Sequence, residues 1–124
     1  STYCMQHVRD MGKLMKTELR SALDDNLWVG DIRGRGLFVG IELVQNKITK
    51  DSLDPSLKIA ALIKGHAMAH GLMCYPMSGT IDGHRGDHIL LAPPFIIEHS
   101  EISLIVQKLK IAITEVFQSV GKSR

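Results

Sequence analysis

The residue of this 124-residue chain best suited to binding a small charged molecule is Arg85, in the segment MSGTIDGHRGD at positions 77–87. The composition of this segment predicts a loop between two short apolar strands, a common location for binding groups. The Arg85 guanidinium can hold a carboxylate through two parallel hydrogen bonds. Further polar side chains in the loop are Thr80, His84 and Asp87. The alternative interpretation is that Arg85 forms a solvated ion pair with Asp82 or Asp87.

Two histidines, His66 and His70, are four residues apart in a predicted helix, so both could face one metal ion. The helical zinc motif of hydrolases requires a glutamate beside the first histidine, and Ala67 stands there instead. The sequence signals no third ligand nearby. We therefore expect two surface or half-buried histidines and no metal site.

Two basic segments have structural explanations. Lys64 lies in the middle of a predicted helix, where lysines are solvated, and no apolar pocket is signalled that would activate it for Schiff-base chemistry. The RGRG segment at 33–36 is a weak signal for a phosphate or RNA site, because it is a single copy without flanking aromatic residues. A tight turn leading into a strand explains its glycines better.

The composition is that of one globular domain, with 44% hydrophobic and 23% charged residues. A net charge of +2 gives no reason to expect a nucleic-acid partner, and no apolar run is long enough to span a membrane. The two cysteines, Cys4 and Cys74, fit a reducing cytoplasm. The chain opens directly into a helical pattern, with nothing before it that could form a first strand, which predicts that it is the tail of something longer.

The segment Val29–Val44 predicts one long strand around which the other elements are organised. From Leu37 onward, alternate residues are apolar and point one way, which is the period of a half-buried strand. The residues on this side are Leu37, Val39, Ile41 and Leu43. Glycines before and within the strand allow bends or a close approach of another surface.

Helices and shorter strands surround this spine. An amphipathic pattern predicts a first helix that ends near Asp24, and Asp54-Pro55 predicts the start of a second helix that ends at Gly71. Short strands are expected at 72–75, ended by Pro76, and at 88–92. A nearly complete apolar stripe after Ser100 predicts the last helix. The fold class is therefore an α/β two-layer sandwich, with about three mostly antiparallel strands and helices packed on one face.

Two stretches, VGDIRGRGLFVGIELV (29–44) and GDHILLAPPFII (86–97), are separated by a helix and the strand segment HGLMCYP (70–76). In this order they resemble the C-terminal small domain of class III aminotransferases. These pyridoxal-phosphate enzymes include ω-amino acid:pyruvate, 4-aminobutyrate and ornithine aminotransferases. The resemblance covers nearly the whole chain, 1–124, and implies the small-domain fold of the pyridoxal-phosphate transferases.

The resemblance also implies a division of labour. In that family a large domain holds the lysine that forms the aldimine, and the motifs around that lysine are absent from this sequence. We therefore expect no catalytic, cofactor-binding or metal-binding residue here, no bound pyridoxal phosphate, and no activity of the chain alone. The implied partners are the large domain of the same parent chain, a second subunit in a homodimer, and small amine and 2-oxo acid substrates such as pyruvate.

The resemblance assigns a substrate-binding role to Arg85. The 4-aminobutyrate and ornithine branches place an arginine just before a leucine-proline run, where this chain has Leu90. The ω-amino acid:pyruvate branch has a carboxylate-binding arginine upstream, in the loop before the GD dipeptide. Gly83 occupies that register and Arg85 lies close to it. Arg85 is thus the expected anchor for a substrate carboxylate. The alternative function is a stand-alone α/β ligand-binding or regulatory module with the same architecture but without the chemistry.

Overall fold

A computed structural model describes residues 2–54, 57–78, 86–93 and 97–122. Within these residues the chain forms α1 (Thr2–Leu23), β1 (Val29–Arg35), β2 (Phe38–Leu43), α2 (Ile59–Ala69), β3 (Tyr75–Ser78), β4 (Asp87–Leu91) and α3 (His99–Lys122). The four strands form one sheet in the order β1-β2-β4-β3, and every neighbouring pair is antiparallel. The predicted fold class, a two-layer α/β domain, is confirmed.

The sheet has one apolar face covered by helices and one open face. On β2 the predicted alternation is confirmed, because Val39, Ile41 and Leu43 are buried while Phe38 is 58% exposed. The neighbouring β4 contributes Ile89 and Leu91 to the covered face. Helix α1 packs on β1 and β2, α2 packs on β3 and β4, and α3 packs against both other helices. A single hydrophobic core therefore lies between the sheet and the helices.

The predicted long strand over Val29–Val44 differs from the structure, where this segment is a β-hairpin made of β1 and β2. The chain turns at Gly36-Leu37, and Gly36 has a φ of 57°, a left-handed conformation that glycine adopts without strain. The tight turn predicted from the RGRG segment is confirmed at Gly36, whereas Arg33, Gly34 and Arg35 lie within β1. The turn divides the predicted spine into two of the four strands.

The second helix and third strand also differ from their predicted bounds. Helix α2 begins at Ile59 rather than near Asp54-Pro55, because Lys58 has a left-handed φ of 52° that interrupts the helix on its N-terminal side. Pro55 lies outside the described residues. Strand β3 runs through Pro76 instead of ending before it. It lies at an edge of the sheet, where a residue without an N–H is tolerated.

The last helix carries the predicted apolar stripe into the core. Its fully or nearly fully buried residues are Ile102, Val106, Leu109, Ala112, Ile113, Val116 and Phe117. Near its C-terminal end the Phe117 ring stacks on Trp28, with centroids 4.3 Å apart and planes 7° from parallel. This contact joins α3 to the residue before β1, so the last helix and the hairpin are held in one core.

Helix α1 approaches the hairpin turn so closely that only glycine fits at position 12. A Cβ atom added to Gly12 would lie 1.9 Å from the Gly36 carbonyl oxygen and 2.7 Å from its carbon. Both atoms belong to the backbone, so a side chain could enter only if the helix and the turn moved apart. In contrast, a Cβ added to Gly65, in the interior of α2, meets nothing within 4 Å.

We predict opposite effects for the same substitution at these two glycines. Gly12→Ala should lower the free energy of unfolding by about 1–3 kcal/mol, because overpacking displaces backbone. Gly65→Ala should raise it by about 0.5–1 kcal/mol, because alanine favours a helix interior and the space is open. Urea unfolding followed by circular dichroism measures both. Equal effects of the two substitutions would contradict the close approach of α1 to the turn.

Candidate functional site

The described residues form the frame of the candidate loop. Strands β3 and β4 lie side by side, and Ser78 at the end of β3 is the register partner of Asp87 at the start of β4. The predicted site residue Arg85, with Thr80, Asp82 and His84, lies outside the described residues. The frame therefore consists of two paired strand ends, with Gly86 at a positive φ of 102° immediately before β4.

Asp87 fixes the start of β4 to the start of α2. Its side chain is buried, with 6% exposure, on the helix-covered side of the sheet. The backbone N–H of Ala60 donates a hydrogen bond to its carboxylate. No side chain caps α2 at Lys58, so Asp87 satisfies one of the free N–H groups at this helix end from another element.

The environment of Asp87 favours its neutral form. Burial raises the pKa of the Asp87 carboxyl above its ordinary value, and the Ala60 hydrogen bond and the nearby His88 only partly oppose this effect. The sequence assigned Asp87 to a solvated loop, either as a binding group or as a partner of Arg85. The structure instead places it inside β4, where it joins a helix and a strand.

A cluster of polar side chains lies on the open face beside the start of β4. The Glu42 carboxylate is 4.0 Å from the Lys50 ammonium and 4.0 Å from Nε2 of His88. Glu42 and His88 are register partners on β2 and β4, so their side chains point to the same face. Sequence reasoning did not identify this group, because its members come from two strands and a loop.

The same open face carries exposed apolar side chains. Tyr75 is 50% exposed, Met77 is 48% exposed and Phe38 is 58% exposed. Register places Tyr75 beside Leu90 and Met77 beside His88. We call Phe38, Tyr75, Met77 and Leu90 the open-face patch. Large apolar side chains grouped on one face are typical of a surface that another part of a protein covers.

His66 and His70 meet the side chain of Glu115 on α3. Their ring nitrogens, Nδ1 and Nε2 respectively, lie 3.3 and 2.9 Å from one Glu115 oxygen. The hydrogen bonds from His70 and then His66 lower the pKa of the Glu115 carboxyl. No group of histidine, cysteine, aspartate or glutamate side chains in the described part of the chain is arranged to hold a metal ion. The two histidines therefore connect α2 to α3.

The described residues do not form a site that fits pyridoxal phosphate. Such a site requires a lysine within an enclosed pocket, and Asp87 is the only buried charged side chain among the described residues. One cavity of about 250 Å³ lies beside Tyr75 and Ile105 and has no cationic residue in its lining. A second cavity, of about 150 Å³, is lined by Arg20 and Lys47, whose side chains both donate hydrogen bonds to backbone carbonyl oxygens.

Two other groups have no arrangement suited to chemistry. Lys64 is exposed on α2, as predicted. Cys74 is a free thiol, and burial raises its pKa, so its reactive thiolate form is disfavoured. No helix in the described residues is both long and apolar enough to cross a bilayer.

Comparison with known proteins finds relatives over almost the whole chain. The model of the family described as aminotransferase class-III matches residues 2–113. An uncharacterized aminotransferase of Schizosaccharomyces pombe is 43% identical over 112 residues, which are 90% of this chain and 24% of that protein. Taurine–pyruvate aminotransferase of Rhodobacter capsulatus is 31% identical over 109 residues, which are 88% of this chain and 23% of that protein.

A solved structure shows the same arrangement of elements. The crystal structure of a transaminase from the marine bacterium Virgibacillus superposes with a TM-score of 0.88 at 28% sequence identity. The match covers 96% of this chain and 26% of that one. The chain thus spans about a quarter of the length of the relatives that it matches.

The role of Asp87 predicts a difference between two substitutions. Asp87→Asn keeps an oxygen for the Ala60 N–H, whereas Asp87→Ala leaves this donor without a partner. At neutral pH, Asp87→Ala should lower the free energy of unfolding by about 1–2 kcal/mol relative to Asp87→Asn. Thermal unfolding measures the difference, with exposed Asp25→Asn as the control.

The pH dependence follows from the raised pKa. The folded chain binds the Asp87 proton more tightly than the unfolded chain does. The contribution of Asp87 to stability is therefore largest at low pH, and it falls as pH rises from the ordinary aspartate value through the raised folded value. This decline should be absent from Asp87→Asn. An identical pH profile for Asp87→Asn and the unsubstituted chain would contradict the buried position of the carboxyl.

Proposed function

Because the chain belongs to the aminotransferase class-III family, we propose that it is the C-terminal small domain of a pyridoxal-phosphate-dependent aminotransferase. The parent enzyme transfers an amino group from an amine or amino acid to a 2-oxo acid such as pyruvate. The observation that carries this proposal is the match over residues 2–113, together with a span of about a quarter of each relative. A transaminase of known structure superposes on nearly the whole chain.

The cofactor belongs to the rest of the parent in this proposal. Pyridoxal phosphate supplies the electron sink of transamination when it is bound. The described residues do not fit the cofactor, so its tethering lysine is expected in a large domain outside this chain. The 124-residue chain alone is then inactive. Its partners are that large domain, a second subunit in a homodimer, and the small amine and 2-oxo acid substrates. The proposed location is the cytoplasm.

The open-face patch supports a covering partner within the same parent. Helices cover one face of the sheet, and the other exposes Phe38, Tyr75 and Met77. Beside them, Glu42 and His88 on the two central strands, together with Lys50, add polar groups to this face. Exposed large apolar side chains with polar groups among them are typical of a surface that packs against another domain.

Arg85 is the proposed anchor for the substrate carboxylate. A 2-oxo acid such as pyruvate carries a carboxylate next to the reacting carbonyl, and a guanidinium can hold it with two hydrogen bonds. A relative of this chain is a taurine–pyruvate aminotransferase, which supports pyruvate as the acceptor. The position equivalent to the arginine of the 4-aminobutyrate and ornithine branches is Leu90, so Arg85 is the candidate that remains.

The function is tested by expressing the full-length parent with pyridoxal phosphate and screening amines and amino acids against pyruvate and 2-oxoglutarate. The proposal predicts amino transfer to a 2-oxo acid by the parent and none by the 124-residue chain. Transfer by neither protein, with a parent that binds no pyridoxal phosphate, would contradict it and favour a stand-alone binding module.

We predict a selective effect of Arg85→Ala in the parent. Loss of a charge-assisted pair should raise KM for the 2-oxo acid roughly 10- to 100-fold. An aldehyde acceptor without a carboxylate should show little change. Steady-state kinetics with both acceptors measure the difference, and Arg9→Ala, on the exposed side of α1, is the matched control. Equal changes for the acid and the aldehyde would remove Arg85 as the anchor.

The open-face patch predicts self-association of the isolated chain. Without its covering domain, the patch should bring copies together at high concentration, and Phe38→Ser/Tyr75→Ser should reduce this association. The matched control is Leu104→Ser/Ile111→Ser, which removes two exposed apolar side chains from α3. Sedimentation velocity over a concentration series measures the mass. A monomer at all concentrations, or equal effects of both double variants, would contradict the prediction.

A further inference from the structure

Strand β1 lies at an edge of the sheet and pairs only with β2 among the described strands. In an antiparallel pair, alternate residues direct both their N–H and C=O groups away from the partner strand. On β1 these outward residues are Gly30, Ile32 and Gly34. Their carbonyl oxygens accept hydrogen bonds from side chains that lie outside the sheet. An edge with such groups free is a template on which a second chain can add a strand.

A basic side chain of the same chain occupies each of these three carbonyls. Lys50 donates to the Gly30 oxygen, Arg20 donates to the Ile32 oxygen at 3.0 Å, and Lys16 donates to the Gly34 oxygen at 3.3 Å. Lys16 and Arg20 are one helical turn apart on α1, so they reach carbonyls two residues apart on β1. The three hydrogen bonds thus reach every second residue along the exposed edge of β1.

An outward N–H group of the edge is occupied as well. The Ile32 N–H donates to Oδ1 of Asp31 at 2.8 Å. The other oxygen of this carboxylate is 2.8 Å from Nε of Arg33, which holds it in place. Both the donor and the acceptor of Ile32 are therefore bound by side chains at the centre of the edge.

The loop after β2 is shaped so that Lys50 reaches the edge. Lys50 has a φ of 63°, a conformation that is unfavourable for a residue with a side chain. Its N–H donates to the Asn46 carbonyl at 2.8 Å, and the Asn46 side chain accepts from the N–H groups of Ile48 and Thr49. This turn holds the Lys50 ammonium between Gly30 and Glu42.

We propose that Lys16, Arg20 and Lys50 close the β1 edge against strand addition by a second copy of this chain. An added strand would have to displace these side chains to reach the backbone, and two such edges would bring their cations together. A register irregularity between Val29 and Asp31 makes the edge a still poorer template. At the other edge Pro76 has no N–H to offer, so the β3 edge is also interrupted.

The test removes the three cations together. The variant is Lys16→Ala/Arg20→Ala/Lys50→Asn, with asparagine at position 50 because it tolerates a positive φ. The expected result is a mass that grows with concentration and amide hydrogen exchange at Ile32 and Gly34 that slows by roughly tenfold or more in the assembled form. Association through the open-face patch would not slow exchange at these edge amides, so the two kinds of assembly are distinguished.

Two further variants complete the experiment. Arg9→Ala/Lys13→Ala/Lys110→Ala removes the same positive charge from exposed helix positions and should leave mass and exchange unchanged. Lys16→Arg/Arg20→Lys/Lys50→Arg keeps three donors and should also behave as the unsubstituted chain does. If the first variant does not fold, Lys16→Ala alone exposes one carbonyl and should show the same effect more weakly. Unchanged mass and unchanged amide exchange in a folded Lys16→Ala/Arg20→Ala/Lys50→Asn variant would overturn the proposal.

Discussion

Burial of one face of the sheet beneath the described helices is the constraint that organises this fold. Val39 and Ile41 of β2, and Ile89 of β4, are fully buried beneath α1 and α2. Burial of apolar area is the dominant favourable term for a domain of this size. Because strand side chains alternate between the two faces of the sheet, the described helices bury only those on one face. The opposite side keeps Phe38 and Tyr75 largely exposed to solvent. Under the proposed function, this is the side that a partner domain covers.

A few close contacts between residues that are distant in the sequence hold the helices in this arrangement. Gly12 lets α1 lie against the hairpin turn, and Asp87 joins the start of α2 to the start of β4. Glu115 accepts hydrogen bonds from both His66 and His70 and so connects α2 to α3. Each contact fixes the position of one helix relative to its neighbour. Together they position the helices relative to the sheet and to the frame of the candidate loop.

The sequence predicted the elements whose own residues carry the signal, and it failed where distant residues decide. The period of two from Leu37 gave the correct faces of β2. It did not reveal the hairpin, because β1 has charged residues on one side and Gly30 and Gly34 among the others, with no regular apolar alternation. The start of α2 was placed too early, since nothing local marks Lys58 as left-handed. Family resemblance identified the family correctly. The hydrogen bond from Ala60 to Asp87 joins residues 27 positions apart, and no local pattern encodes it.

In the proposed parent enzyme, a cofactor-holding domain covers the open face. Hydroxyl-radical footprinting of Tyr75 and Met77 tests it most directly, by comparing the isolated chain with the full-length parent. Met5, which is 58% exposed on α1, serves as the internal reference. We expect strong protection of Tyr75 and Met77 in the parent and unchanged oxidation of Met5. Equal oxidation of Tyr75 and Met77 in both proteins would contradict it.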